Sequence, residues 1–280
     1  FALEAAILSL ALELTLGIPL TIGYFISAVI VIPLVTHGIT LISRFQVWTQ
    51  PLWIVLQVLP LACIALQSEE AVKLWTSFEP STGNPPGFNL LAFGAASAVL
   101  FSLIAQIGEQ VDFLRFLPQP AKGQRTRWWL AMMSAGPGWI LVGSVKILIG
   151  SFLAILALNH GISFEESSDP NRMYLTAFCY LTQSPQLTLV LVGAFVVLSQ
   201  LKINVTNAYA GSIAWSNFFS RLTHNHPGRV VWLVFNVAIA LMLVVALVAT
   251  IVLSTVFDLF PRFILFTTKN GLDGEGKRVF

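Results

Sequence analysis

Charge is what this chain has least of. Only 10% of its 280 residues are charged, where a soluble domain carries about a quarter. That shortage excludes an ordinary soluble globular fold. Lys and Arg number 15 against 13 Asp and Glu, a formal net charge of +2. So small a surplus gives no reason to expect nucleic acid as a partner. Cysteine is almost missing: Cys63 and Cys179 alone argue against a disulfide scaffold or a zinc site. Cys63 lies in an apolar segment and reads as a small core residue. His224 and His226 read as ordinary histidines of an interfacial loop rather than metal ligands. No nucleophile–base arrangement, phosphate loop or metal-ligand cluster is found. Neither an enzyme activity nor a cofactor is therefore expected.

What is present is apolar. Hydrophobic residues make up 56% of the chain and the mean hydropathy is +0.81. Only an all-α polytopic membrane protein accommodates such values comfortably. Phe1 opens the chain, and no positively charged stretch precedes the first apolar segment, so no signal peptide is read. The chain is expected to be part of something longer. Hydropathy predicts about seven membrane segments, near 2–16, 18–37, 51–67, 90–108, 138–158, 186–210 and 230–257. Residues 1–261 form the membrane domain and 262–280 a polar tail. Gly17 and Pro19 separate the first two segments. Gly38, Arg44 and Pro51 are expected to punctuate the next turn, and Pro60 to kink the third segment.

Loop charge predicts orientation. Arg44, the group Arg115, Lys122, Arg125 and Arg127, and the pair Arg221 and Arg229 fall in alternate connections. The other two connections are acidic, through Glu69, Glu70 and Glu79 and through Glu165, Glu166 and Asp169. The basic connections are expected in the cytoplasm. Residues 171–182 read as a short helix at the outer surface. The tail breaks the rule, because one crossing by the seventh segment leaves Arg262, Lys269, Lys277 and Arg278 outside. Either the tail is outside, or the seventh segment is re-entrant, or the natural chain continues differently.

Polar groups at membrane depth are the site candidates, since burying them is costly. In residues 98–118, AVLFSLIAQIGEQVDFLRFLP, an apolar run passes directly into Gln106, Gly108, Glu109, Gln110 and Asp112. Gly108 allows the helix to open there, and Glu109 is the leading candidate. Lys146 sits within VGSVKILIG; it either snorkels or pairs with a carboxylate, or it couples charge. Gly143 and Gly150 beside it read as a seam for close helix packing. Lys202 is surrounded by Gln200, Asn204, Thr206, Asn207 and Ser212. Asn204, Asn207 and Gly211 share one helical face, and that stripe binds a partner helix, an ion or a substrate. The sequon at Asn204 lies too deep to be glycosylated. Glu13 is a carboxylate among apolar residues of the first segment.

Asp112-Phe113-Leu114-Arg115-Phe116, with Leu114 at a position usually held by a hydroxyl residue, resembles a motif of the nucleobase:cation symporter family of purine, cytosine, allantoin and hydantoin permeases. Asn204, Asn207 and Tyr209 resemble that family's Asn-rich helix, with the asparagine spacing shorter by one, and GITLISRF resembles its inner connection. The similarity runs from about residue 18 to 240. It implies part of a five-plus-five inverted-repeat transporter fold, in which the seven segments correspond to the third to ninth helices. It also implies that Gln106, Gly108, Glu109 and Gln110 border the substrate, with Asn204 and Asn207 facing it. Glu109 stands where the family usually has Asn, and the first segment lacks the aromatic and amide residues that read a nucleobase. In that family a sodium ion, where used, sits against the helix matched here by 186–210. Lys202 lies near that helix's polar stripe, where its ammonium could replace a bound cation; Lys202, Thr206 and Glu13 are the ion-coupling candidates. Sodium is not expected to be the coupling ion; Lys202 with Glu109 or Glu13 is expected to handle charge.

The expected function is an ion-coupled secondary transporter of a nucleobase-like or related small heterocycle, in the bacterial inner membrane. Its partners are then the lipid bilayer, a small-molecule substrate, and protons or cations. The alternative is a permease-like sensory or anchoring module of a larger signalling protein.

Overall fold

The computed structural model describes residues 1–78, 88–102 and 105–246, apart from the side chains of 99, 102 and 105–107. Expectations for Glu79, for the end of the seventh segment and for the tail 262–280 lie outside the described residues, as does the side chain of Gln106. Among the described residues every regular element is helical.

The first helix, α1 (Ala2–Leu16), stops at Gly17, whose φ of 67° is left-handed and suits a residue without Cβ. Pro19 then leads into α2 (Leu20–Val29), which continues almost directly as α3 (Val31–Thr36). His37 and Gly38, the latter at φ 84°, are the whole connection to α4 (Ile39–Gln67). The turn expected around Arg44 and Pro51 is therefore helix, and both Pro51 and Pro60 lie inside α4. Each proline deletes one backbone hydrogen bond. In an apolar surrounding the remaining peptide groups still have no better partner than their own helix, so the helix persists.

Next come α5 (Glu69–Thr76), α6 (Leu90–Ser102), α7 (Ala105–Leu114), α8 (Arg125–Ala135) and α9 (Gly138–Asn159). Helices α10 (Pro170–Cys179) and α11 (Pro185–Thr223) begin by the same device. Asp169 accepts from the Asn171 amide at 3.0 Å and Ser184 from the Leu187 amide at 3.4 Å, with proline at the first helical position each time. The last described helix is α12 (Arg229–Ala246).

Four stretches are long and apolar enough to cross a membrane: Ile39–Gln67, Arg125–Asn159, Pro185–Thr223 and Arg229–Ala246. The protein is an integral membrane protein. The expected count of seven is met only in part, because α1 has 15 residues, α6 has 13, and Leu20–Thr36 is a shorter apolar stretch. Helix α11, at 39 residues, runs roughly 58 Å at the standard rise. It extends well past the expected end of the sixth segment, so Arg221 is helical rather than in a loop.

Helix α11 is the axis of the fold. Phe1 joins the cluster of Val205, Ala208 and Tyr209, Ile7 and Ala11 join that of Val192, Phe195 and Val196, and Thr15 abuts Gly193. So α1 lies antiparallel along α11. A Cβ on Gly193 would stand 2.8 Å from Thr15 Cγ2, and one on Gly211 would stand 2.8 Å from Asn236 Oδ1. Close packing therefore runs through these glycines. Gly143 and Gly150, expected to form such a seam, have no described atom within 4 Å of a Cβ position.

Contacts between loops sort the charges into two ends. The Arg229 guanidinium donates to the carbonyls of Val35 (3.3 Å) and Thr36 (3.4 Å) and lies 5.0 Å from the Tyr209 ring centre. Phe113 meets that same ring at 5.8 Å. The three basic connections thus share one end. At the other, Gln67 donates to the Tyr180 carbonyl at 2.9 Å, joining the two acidic connections. Helix α10 is present where a surface helix was expected. It packs inward instead, with Asn171, Thr176, Ala177 and Phe178 buried.

Candidate functional site

A cleft of about 600 Å³ opens between α4, α9, α10 and α11, with Glu4 of α1 at its edge. Four residues of α4 line it: Gln46, Gln50, Trp53 and Gln57. Their spacing of four, three and four puts them on one helical face. Lys146 and Gly150 come from α9, and Met173 and Tyr174 from α10. Phe195, Ser199, Gln200, Lys202, Ile203 and Thr206 come from α11.

Aromatic rings build the apolar part. Trp53 stacks on Phe195 at 6.4 Å between centres, and Tyr174 lies 4.4 Å from Phe195. Each ring with a polar atom is anchored. Trp53 Nε1 donates to Ser199 Oγ at 2.8 Å, and Tyr174 Oη donates to Gln57 Oε1 at 3.0 Å. Burial pushes the Tyr174 phenol above its ordinary value, so it keeps its proton and remains a donor at neutral pH.

The two lysines differ. Lys202 is buried, and its Nζ donates to the Gln46 carbonyl at 2.9 Å and to Thr49 Oγ1 at 3.0 Å. Gln46 Nε2 returns a bond to the Lys202 carbonyl at 2.8 Å. This reciprocal pair clamps α4 to α11. Lys146 Nζ instead lies 4.8 Å from the centre of the Trp53 ring, a cation–π contact. Neither lysine forms an ion pair among the described residues; the ion pair found there is the exposed Arg172–Glu166 contact at 3.7 Å.

The residues expected to form the site separate into two groups. Lys202 and Thr206 reach the cleft, where the Thr206 hydroxyl donates to its own helix at the Ile203 carbonyl, 2.8 Å away. Asn204 is fully buried outside the cleft lining, and neither Oδ1 nor Nδ2 has a partner among the described residues. Asn207 is half-buried and also off the cleft. Glu13 is exposed; from the same helix it is Glu4 that lines the cleft. Gly108, Glu109 and Gln110 sit on α7, with Gly108 exposed and no described atom within 4 Å of its Cβ position. Lys202 makes no ion pair with Glu109 or Glu13.

The α4 face is the part that sequence reasoning missed. Residues 39–50 were read as a connection around Arg44, which hid the glutamines. The 46, 50, 53, 57 spacing was the available signal. Among the described residues no group of three His, Cys, Asp or Glu side chains converges on a metal position. Comparison with family models, with curated proteins and with solved structures finds no match to this chain.

Proposed function

We propose that the chain is a permease module of the nucleobase:cation symporter type, built on the five-plus-five inverted-repeat plan. It moves a nucleobase-like or related small heterocycle across the bacterial inner membrane, with its basic end in the cytoplasm and with uptake coupled to an ion. The observation that carries this reading is the cleft itself. It lies against three of the four membrane-length stretches, and its volume is that of a small-molecule site. The rings of Trp53 and Phe195 line it beside the amides of Gln46, Gln50 and Gln200. A planar ring with donors and acceptors along its edge needs that combination: stacking for the faces and amides for the edge. The amide and aromatic residues lacking in the first segment are supplied here by α4.

Uptake of labelled neutral and acidic heterocycles into proteoliposomes holding the full chain tests the proposal, under imposed sodium or proton gradients. Saturable uptake that Trp53→Ala abolishes is the expected result. Uptake of none of them, or uptake indifferent to Trp53→Ala, would overturn it. Binding without uptake would favour the sensory reading.

A further inference from the structure

Two ammonium groups face the cleft, Lys146 from α9 and Lys202 from α11, while Glu4 is the one carboxylate lining it. The cleft therefore carries one positive charge in excess. At this depth an excess charge is costly, because no bulk water solvates it. The charge of Glu4 acts on Lys146, but from beyond ion-pair distance. Lys202 has committed donors to Gln46 and Thr49. Lys146 makes no hydrogen bond among the described residues; the Trp53 ring face is its contact. A ring quadrupole attracts an ammonium but accepts little from its three N–H groups. A second unmet group stands in the same cleft: Gln200 Oε1 is buried and accepts from nothing among the described residues. Among the described residues the cleft thus lacks a hydrogen-bond acceptor in contact with Lys146 and a donor for Gln200.

We infer that the cleft selects a heterocycle bearing an acidic group, a ring carboxylate whose oxygens accept from Lys146 Nζ over Trp53 and whose ring N–H or amide N–H donates to Gln200 Oε1. Lys146 is then the residue that sets specificity for an anion over its uncharged analogue. This rests on the reading of the cleft as a solute site. It goes further in naming the charge of the solute and the residue that reads it.

Pairs of probes that differ only in charge test it: nicotinate against nicotinamide, and orotate against orotamide, titrated calorimetrically into the full chain in lipid nanodiscs. A charge-assisted bond in a desolvated site makes each acid bind about tenfold or more tightly than its amide. Lys146→Met removes the preference for the acid over its amide, while Lys146→Arg keeps it. Equal affinity of acid and amide for the unaltered protein would overturn the inference, and so would a preference that survives Lys146→Met. The ratio in the unaltered protein decides the matter even if the methionine variant does not fold. The two readings fail separately. Uptake of neutral heterocycles with no preference for acids sinks the inference and leaves transport standing. Tight, Lys146-dependent binding of acids without uptake sinks transport and leaves the inference standing. Binding of neither member of either pair sinks the inference.

Discussion

Helices α7 and α11 both carry polar residues next to apolar sequence, yet the fold treats them differently. Helix α11 is enclosed by α1, α3, α4 and α10, and its polar residues divide between a dry face and the cleft. Helix α7 packs lightly against α8 and α11. No described atom lies within 4 Å of a Cβ position on its Gly108, and its Phe113 leans on Tyr209. Polar residues at an apolar junction do not by themselves make a pocket. A pocket needs several helices whose polar faces converge, as those of α4, α9 and α11 do around Trp53.

The comparison can be broken at Gly193. A Cβ there would meet Thr15 Cγ2 at 2.8 Å, so Gly193→Val forces α1 off α11. Overpacking of this kind costs about 1–3 kcal/mol, and the loss is expected at the upper end of that range because a valine adds branched bulk against a helix. Denaturant unfolding in detergent micelles measures it. A stability equal to that of the parent would show that α1 is not held against α11.

The clamp between α4 and α11 gives a smaller effect. Lys202→Met removes the bonds to the Gln46 carbonyl and Thr49 and keeps the return bond from Gln46. Hydrogen bonds from a charged group are worth about 1.5–3 kcal/mol, and a loss in that range, nearer its lower end, is expected from the same unfolding measurement. Were Lys202 instead the coupling group, the variant would keep its stability and lose the gradient dependence of uptake.

The smallest effect is expected on α7. Gly108→Ala meets no neighbour among the described residues and removes a helix-interior glycine, so stability should rise by about 0.5–1 kcal/mol. Uptake should be unchanged. Lost uptake in a stable Gly108→Ala protein would return the site to α7 and reverse the comparison.

Some of the site was legible in the chain. Lys202 and Thr206 stand out because they interrupt an apolar segment, and both line the cleft. Lys146 was visible for the same reason, although its role between snorkelling, pairing and coupling stayed open. Gln46, Gln50 and Gln57 were not seen. Arg44 and Pro51 look like loop residues to any local reading, whereas α4 runs through both. Glu4 and Glu13 are alike in sequence terms, two carboxylates among the apolar residues of one helix. Only the rotation of α1 against α11 turns Glu4 to the cleft and leaves Glu13 exposed. Asn204 shows the opposite case: its polar stripe is expected to bond a partner helix, an ion or a substrate, yet its amide lies off the cleft without a partner among the described residues.

The sequence by itself determined that this is an integral membrane protein of helices, and where the chain turns at Gly17 and Gly38. Those properties are local: hydropathy and backbone freedom act over one or two turns of helix. Which polar residues meet was decided only by tertiary structure. Helix rotation and crossing position set that outcome, and they depend on contacts such as Gly193 with Thr15 and Lys202 with Gln46, residues 178 and 156 positions apart in the chain.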